Sequence, residues 1–354
     1  MAVKVILGLQ NGDEGKGRVV DDLCHTTNNP VIVRYQGGAN AGHTIYDKEG
    51  NKSVVHLLPS GVLNPNATNV ITRAVVVDPI QLLKEMEEFN VQPNSLIVSS
   101  YAPVVMSWHI DDDIAKYQRR LGTTAKGIGP ALRDFIARDG ITMNTWLNHF
   151  ATPDQKAKLQ YFIGDAEVYL RDMLEEGREI ILEGCQGYRL DIWGEEYPNV
   201  TSSCTTIGSV FYSTRLSHKD LTEVIGIAKV YETKVGTGTF EEVQSETVVN
   251  KYRDIGKEYG ATTGRPRKIG WLDLPMLKEA VQVNGVDTLI ITKTDIPTQV
   301  GVLKIKTEQG LEDVDLWGSD IENLNKLLFK IKEYTGVSKI GYTYGENRGC
   351  ISFI

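Results

Sequence analysis

Apolar residues in this chain gather in short unbroken runs. Val3 with Val5 to Leu7 opens the series, followed by VIVRY at 31–35, AVVV at 74–77 and LIVSS at 96–100. IILEG at 180–184, EVIGIAKVY at 223–231 and TLIITKTD at 288–295 continue it. Runs that are apolar throughout, instead of alternating, suit strands covered on both faces. Between them apolar residues recur at helical spacing: about Arg18 to Cys24, Ile80 to Phe89, Gln155 to Glu175 and Ile321 to Tyr334. The third stretch opens near Pro153–Asp154 and meets Gly177; the fourth meets Gly336. Strand alternating with helix predicts an α/β fold: a large, mostly parallel, doubly wound sheet with helices on both faces. Without internal repeats, low-complexity tracts or linkers, residues 1–354 read as one domain. Its long active-site loops are expected at 36–44, 121–130, 201–206 and 260–271, gathered at the carboxyl ends of the strands.

Composition narrows this picture only a little. At 354 residues, 41% hydrophobic and 24% charged, the chain is ordinary for a globular protein. A net charge of −8 argues against a general nucleic-acid surface and leaves room for a small basic pocket. Cys24, Cys185, Cys204 and Cys350 form no C-x-x-C pair, so free thiols in a reducing compartment are expected. No run approaches membrane-spanning length, and the first apolar stretch is too short for a signal peptide. A cytoplasmic enzyme or binding protein is the expectation.

Chemistry enters where the first strand meets a glycine-rich turn, VILGLQNGDEGKG. Gly8, Gly12, Gly15 and Gly17 let backbone N–H groups close around an anion. Lys16 supplies a point charge, and the next helix offers its positive end. Glycines alone suit a structural turn as well as a phosphate site, and the Walker spacing is absent. Asp13 and Glu14 inside the loop favour a phosphate site that uses a metal ion or a proton transfer. A second glycine turn, QGGANAGHT, follows at Gln36 to Thr44.

Six further segments complete the set: HLLPSG at 56–61, GTTAKGIGPA at 122–131, EGCQG at 183–187, YPNVTSS at 197–203, GATTGRPRKIGWLD at 260–273 and TKTD at 292–295. With GDEGKG and NAGHT they resemble, in order and over most of the chain, the adenylosuccinate synthetase family. The resemblance implies a P-loop-NTPase-like sheet and a ligase that joins L-aspartate to C6 of a 6-oxopurine nucleotide. It implies a nucleoside triphosphate donor, Mg²⁺ and a 6-phosphoryl intermediate. Asp13 matches the base that takes the N1 proton, and His43 the acid that steadies the transferring phosphoryl group. Asp13 and the Gly42 carbonyl match the metal ligands.

For the triphosphate the matching positions are Gly12, Asp13, Glu14, Gly15, Lys16, Gly17, Gly42, His43 and Thr44, with Lys293, Asp295, Tyr344 and Gly345 at its base. Asn40, Thr124, Arg138, Gln186, Thr201 and Arg265 match the purine monophosphate site; Arg138 is lent by a partner subunit, implying a homodimer with shared sites. Thr262, Thr263, Arg265 and Arg267 match the aspartate clamp, where a guanidinium fork meets a carboxylate at two points. Several loops close on ligands in the family, so mobility is expected around Gln36–Thr44 and Gly260–Lys268.

The sequence departs from the family pattern at Asn11, where Trp is common, at Pro266 and Ile269 in an Arg-rich run, and at YTYG, Tyr342 to Gly345. The chain also lacks long insertions. Archaeal and phage members share that shortness; Asn11, and Tyr344 with its large ring where the donor base should sit, favour the phage branch, which acts on dGMP with ATP or dATP in the host cytoplasm and yields a 2-aminoadenine precursor. The alternative is an adenylosuccinate synthetase using IMP and GTP. Retained Asp13 weighs for the latter, because several phage members carry a small residue there. A nucleotide-binding regulator without activity is the remote third reading.

Overall fold

The computed structural model describes residues 2–260, 264–318 and 321–354. Ten strands form the central sheet: β1 (Val3–Gly8), β2 (Val31–Arg34), β3 (Thr68–Ile71), β4 (Leu96–Ser99), β5 (Ile163–Gly164), β6 (Ile180–Gly187), β7 (Glu223–Lys229), β8 (Thr288–Thr292), β9 (Lys339–Thr343) and β10 (Ile351–Phe353). Their order is β10-β9-β8-β7-β1-β6-β2-β3-β4-β5, and every neighbouring pair is parallel except β9 with β10. β1 therefore lies between β6 and β7, with later strands added outward on both sides. In open parallel sheets such a reversal of strand order opens a crevice beyond the carboxyl ends, which places the β1 turn at its centre.

Both faces of the sheet are buried, as the unbroken apolar runs require. Val3, Val5, Leu7, Val31, Val33, Ile180 and Leu182 pack into one cluster. Ile6, Ile32, Ile181, Ile225 and Ile290 point the other way, against Val19, Val20 and Cys24 of helix α1 (Lys16–Thr26). Each such side chain, taken fully from water, contributes about 2 kcal/mol before the cost of ordering the chain.

The structure differs from the sequence pattern in three places. The stretch from Gln155 to Glu175 is two helices, Pro153–Leu159 and Ala166–Glu175. Between them Ile163 pairs with Val98 as an edge strand, and the Asp165 side chain accepts from Val168 N to cap the second helix. AVVV at 74–77 lies outside the main sheet: Val75 and Val76 pair with Gly37 and Gly38, and Val77 bridges to Val104. The run at 223–231 breaks after Lys229, and Tyr231–Lys234 starts a separate four-stranded sheet with Lys268–Asp273, Lys304–Thr307 and Gly310–Asp313. That second sheet brings the arginine loop back over the β1 turn. Ile269 is a fully buried residue of it, paired with Thr233, so an apolar side chain there is a packing requirement. No helix among the described residues is long and apolar enough to cross a membrane.

Candidate active site

The β1 turn is built around Glu14. Gly12 at φ 88°, Asp13 at φ 60° and Gly15 at φ 92° curl the backbone through left-handed conformations. Aspartate tolerates that region better than most residues, which helps explain why it stands between the glycines. The curl turns Gln10 N and Gly12 N onto Glu14 Oε1, at 3.1 and 2.8 Å. Glu14 Oε2 accepts from Lys16 Nζ at 2.5 Å. Burial opposes ionisation of Glu14, but the charge and hydrogen bond of Lys16 outweigh it and hold the carboxyl below its usual value. Glu14 is thus a fully buried brace that sets the loop and Lys16. Asp13, by contrast, leaves part of its side chain open to the cleft.

His43 stands against this turn. A Cβ on Gly17 would lie 2.7 Å from His43 Cβ, so only glycine admits the histidine so close to α1. Its Nδ1–H donates to Glu183 Oε1 at 2.5 Å, and Ser60 N donates to the other oxygen at 2.9 Å. Arg34, fully buried, places NH1 3.2 Å from Nδ1 and 3.8 Å from Glu183. Burial and then Arg34 push the imidazole below its ordinary pKa. Burial would raise the Glu183 carboxyl, but His43, Arg34 and Ser60 together hold it well below the usual range. Glu183 therefore stays ionised and orients a neutral ring, whose buried Nε2 has no partner among the described residues. An orienting carboxylate behind a histidine is a familiar way to fix its tautomer.

Asp13, Lys16, His43, Gly12, Gly15 and Gly17 line one cleft of about 910 Å³ with Gly42, Thr44 and Glu14. Asn40, Thr124, Gln186, Thr201, Arg265, Arg267 and Lys293 line it too. Gln36, which sequence reasoning left unassigned, ties the amides together: its Nε2 donates to Gln186 Oε1 at 2.5 Å, and Gln186 donates to Asn40 at 3.3 Å. Arg267 Nε lies 2.9 Å from Asp13 Oδ2. Arg138 lies elsewhere, exposed at the end of the helix Ile128–Ala137 with φ 74°. Thr262 and Thr263 lie outside the described residues.

At the far side, Lys293 Nζ donates to Gly256 O at 3.0 Å, and Asp295 is 9% exposed with Oδ1 lacking a partner among the described residues. A buried acceptor left without a donor fits a ligand that brings N–H groups. Tyr344 keeps 50% of its surface in solvent. Asn11, which also lines the cleft, donates its side-chain amide to Glu232 at 3.4 Å. Gly345 O is held by Arg18 at 2.5 Å.

The family model described as adenylosuccinate synthetase matches residues 5–158 and 150–341. The chain belongs to the adenylosuccinate synthetase family. Family members are carbon–nitrogen ligases of purine biosynthesis, and the nucleotide-sized cleft is what such a ligase needs. The chain is 38% identical to an adenylosuccinate synthetase of Helicobacter pylori over 388 residues, covering 99% of this chain and 94% of that one. It is 39% identical to the enzyme of Wolinella succinogenes over 332 residues, covering 84% and 79%. Among solved structures, the fully ligated adenylosuccinate synthetase from Plasmodium falciparum matches with a TM-score of 0.92 at 30% identity over the whole of both chains. The succinoaminodeoxyadenylate synthetase of cyanophage S-2L, bound to dGMP and dATP, shares the fold with a TM-score of 0.77 at 22% identity, covering 99% and 95%.

Proposed function

We propose that this protein is an adenylosuccinate synthetase that converts IMP, L-aspartate and GTP to adenylosuccinate. The observation that carries the reading is the pairing, in one cleft, of a cleft-facing Asp13 with a buried, unpartnered His43 Nε2. A 6-oxo group leaves poorly, so O6 attacks the γ-phosphorus while Asp13 takes the N1 proton. His43, protonated on Nε2 from solvent as that negative charge arrives, donates a hydrogen bond to the transferred phosphoryl group and then to the departing phosphate. The aspartate amine displaces phosphate at C6, with Arg265 and Arg267 holding its carboxylates. Most of the acceleration comes from placement and fixed charge.

The residues present fit Mg²⁺. Asp13 offers a hard oxygen at the mouth of the phosphate loop, and Gly42 lies across from it in the same cleft. Among the described residues no group of three or more His, Cys, Asp or Glu could hold a metal, which suits an ion carried largely by phosphates and water. Bound there, Mg²⁺ would neutralise charge on the β- and γ-phosphates. Asp13 must first leave Arg267 to reach it.

Two observations support guanine in the donor: the buried Asp295 Oδ1 without a partner among the described residues, and Tyr344 lying half in solvent. They weigh against the expectation that the Tyr344 ring sits where the donor base should lie. The dGMP reading keeps one specific support, Asn11, which leaves room beside Asp13 where the family usually has a large ring. Aspartate-dependent phosphate release with IMP or dGMP, each with GTP, ATP and dATP, separates the two. IMP with GTP is expected to give the highest kcat/KM, by about tenfold or more over any other pair. Turnover confined to dGMP with an adenine donor would overturn the reading.

Assembly is part of the same proposal. Arg138 sits beside Ile136, 76% exposed, and Phe135, 37% exposed, an apolar setting suited to a second copy. A cytoplasmic homodimer with Arg138 lent across the interface is expected. Sedimentation equilibrium should give twice the chain mass; a monomer at micromolar concentration would refute shared sites.

A further inference from the structure

Glu258 takes no part in the chemistry above, yet it is a fully buried carboxylate at the stem of the arginine loop. It follows the helix Glu246–Gly256, and its backbone closes the loop: Arg267 N donates to Glu258 O at 3.0 Å. The side chains repeat that pairing, with Arg267 NH1 donating to Glu258 Oε2 at 2.5 Å. Tyr231 donates its hydroxyl to Oε1 at 2.6 Å, and Lys229 Nζ lies 3.4 Å from both oxygens. Lys229 is itself 1% exposed and donates to Thr233 on the second sheet. Four charges thus run inward from the cleft in alternating sign: Asp13, Arg267, Glu258, Lys229.

The outer link differs from the inner ones. Arg267 Nε is within 2.9 Å of Asp13 Oδ2, but its N–H is not directed at that oxygen and has no acceptor among the described residues. Arg267 is therefore fixed on its Glu258 side and only provisionally engaged on its cleft side. A carboxylate ligand approaching in the plane of the guanidinium would make better hydrogen bonds than Asp13 does.

We propose that Glu258 is a positioning residue for the carboxylate co-substrate: it anchors one edge of Arg267 so that the other edge can be handed from Asp13 to an incoming aspartate carboxylate. The inference rests on aspartate being the substrate held by this clamp. Seating aspartate then releases Asp13, so the base is freed as the nucleophile is placed, and the reactive pair assembles only in the full complex.

Steady-state kinetics of Glu258→Gln test it. The variant keeps an acceptor for Tyr231 but loses the charge that holds Arg267. KM for aspartate is expected to rise at least tenfold, with KM for both nucleotides within twofold of wild type. Tyr231→Phe removes another contact to the same carboxylate without touching Arg267, and should leave the aspartate KM within twofold. If Glu258→Gln does not fold, Glu258→Asp, which draws the charge back by one methylene, should raise the aspartate KM alone and by a smaller factor. An unchanged aspartate KM in a folded variant overturns the proposal, as does a parallel rise in all three KM values matched by Tyr231→Phe. Absence of aspartate-dependent turnover in the wild type would overturn the functional reading and this inference with it, and would be seen before any substitution.

Discussion

Replacing Asp13 with asparagine is expected to lower turnover by about 10⁴-fold while nucleotide affinity stays within a few fold. The separation follows from how the β1 turn is built. Gln10 N, Gly12 N and Lys16 are organised by Glu14, so the turn does not depend on the Asp13 side chain. Asparagine tolerates φ 60° as readily as aspartate, so the backbone has no cause to move. What disappears is the acceptor for the N1 proton and a hard ligand for Mg²⁺. Single-turnover phosphate release, alongside equilibrium titration with the nucleotides, reads the two effects apart. Loss of binding in step with turnover would make Asp13 a structural residue; retained turnover would remove it as the base.

Glu183→Gln should cost about 10²-fold in kcat and should move the alkaline limb of the kcat profile to lower pH. The sign comes from charge. Burial and Arg34 already disfavour imidazolium, and the Glu183 carboxylate is the nearby group that favours it. Removing that negative charge lowers the His43 pKa further. A reaction needing a proton on Nε2 then fails at a lower pH than in the wild type. Glutamine also leaves Arg34 buried without its carboxylate, which costs about 3 kcal/mol, so the profile is read below the variant's own unfolding temperature. Stability should change its acid dependence too. A carboxyl held below its unfolded pKa stabilises fully above that value and loses the contribution as pH falls through the folded pKa. An unmoved profile in a folded variant would show that Glu183 does not act through His43.

The strands of the central sheet were legible where burial on both faces produced unbroken apolar runs, as at Val31, Ile180 and Thr288. Thr68–Ile71 escaped because TNVI carries two polar residues, yet Asn69 is buried with its side chain donating to Ser95 O at 3.2 Å. The break within Gln155 to Glu175 was hidden because Phe162 and Ile163 continue an apolar helical pattern, although Ile163 pairs as a strand. The second sheet was invisible to periodicity: its strands are short, and Lys268–Asp273 sits in a segment whose Gly and Arg content reads as loop.

Within the site, motif order located the β1 turn, His43, the amides and the arginines. Glu183, Gln36 and Arg34 fell inside quoted segments without a role, and Glu258 outside them, because nothing local distinguishes these residues from ordinary strand and loop residues. Their importance depends on partners far along the chain, such as Glu183 and His43, 140 residues apart. Asn11 and YTYG looked more disruptive in the sequence than in space, where Asn11 donates to Glu232 and Tyr344 lies half in solvent.

The sequence by itself determined the fold class and the family, because an apolar run needs two covering layers and because glycines at fixed spacing mark where backbone must approach phosphate. Which carboxylate of the β1 turn faces the cleft, which group orients His43, and the placement of Arg267 against Asp13 came only with the folded arrangement. Those outcomes turn on distances of a few ångströms between residues brought together by the sheet, and charge interactions at that range are set by placement and burial, neither of which is written at any single position.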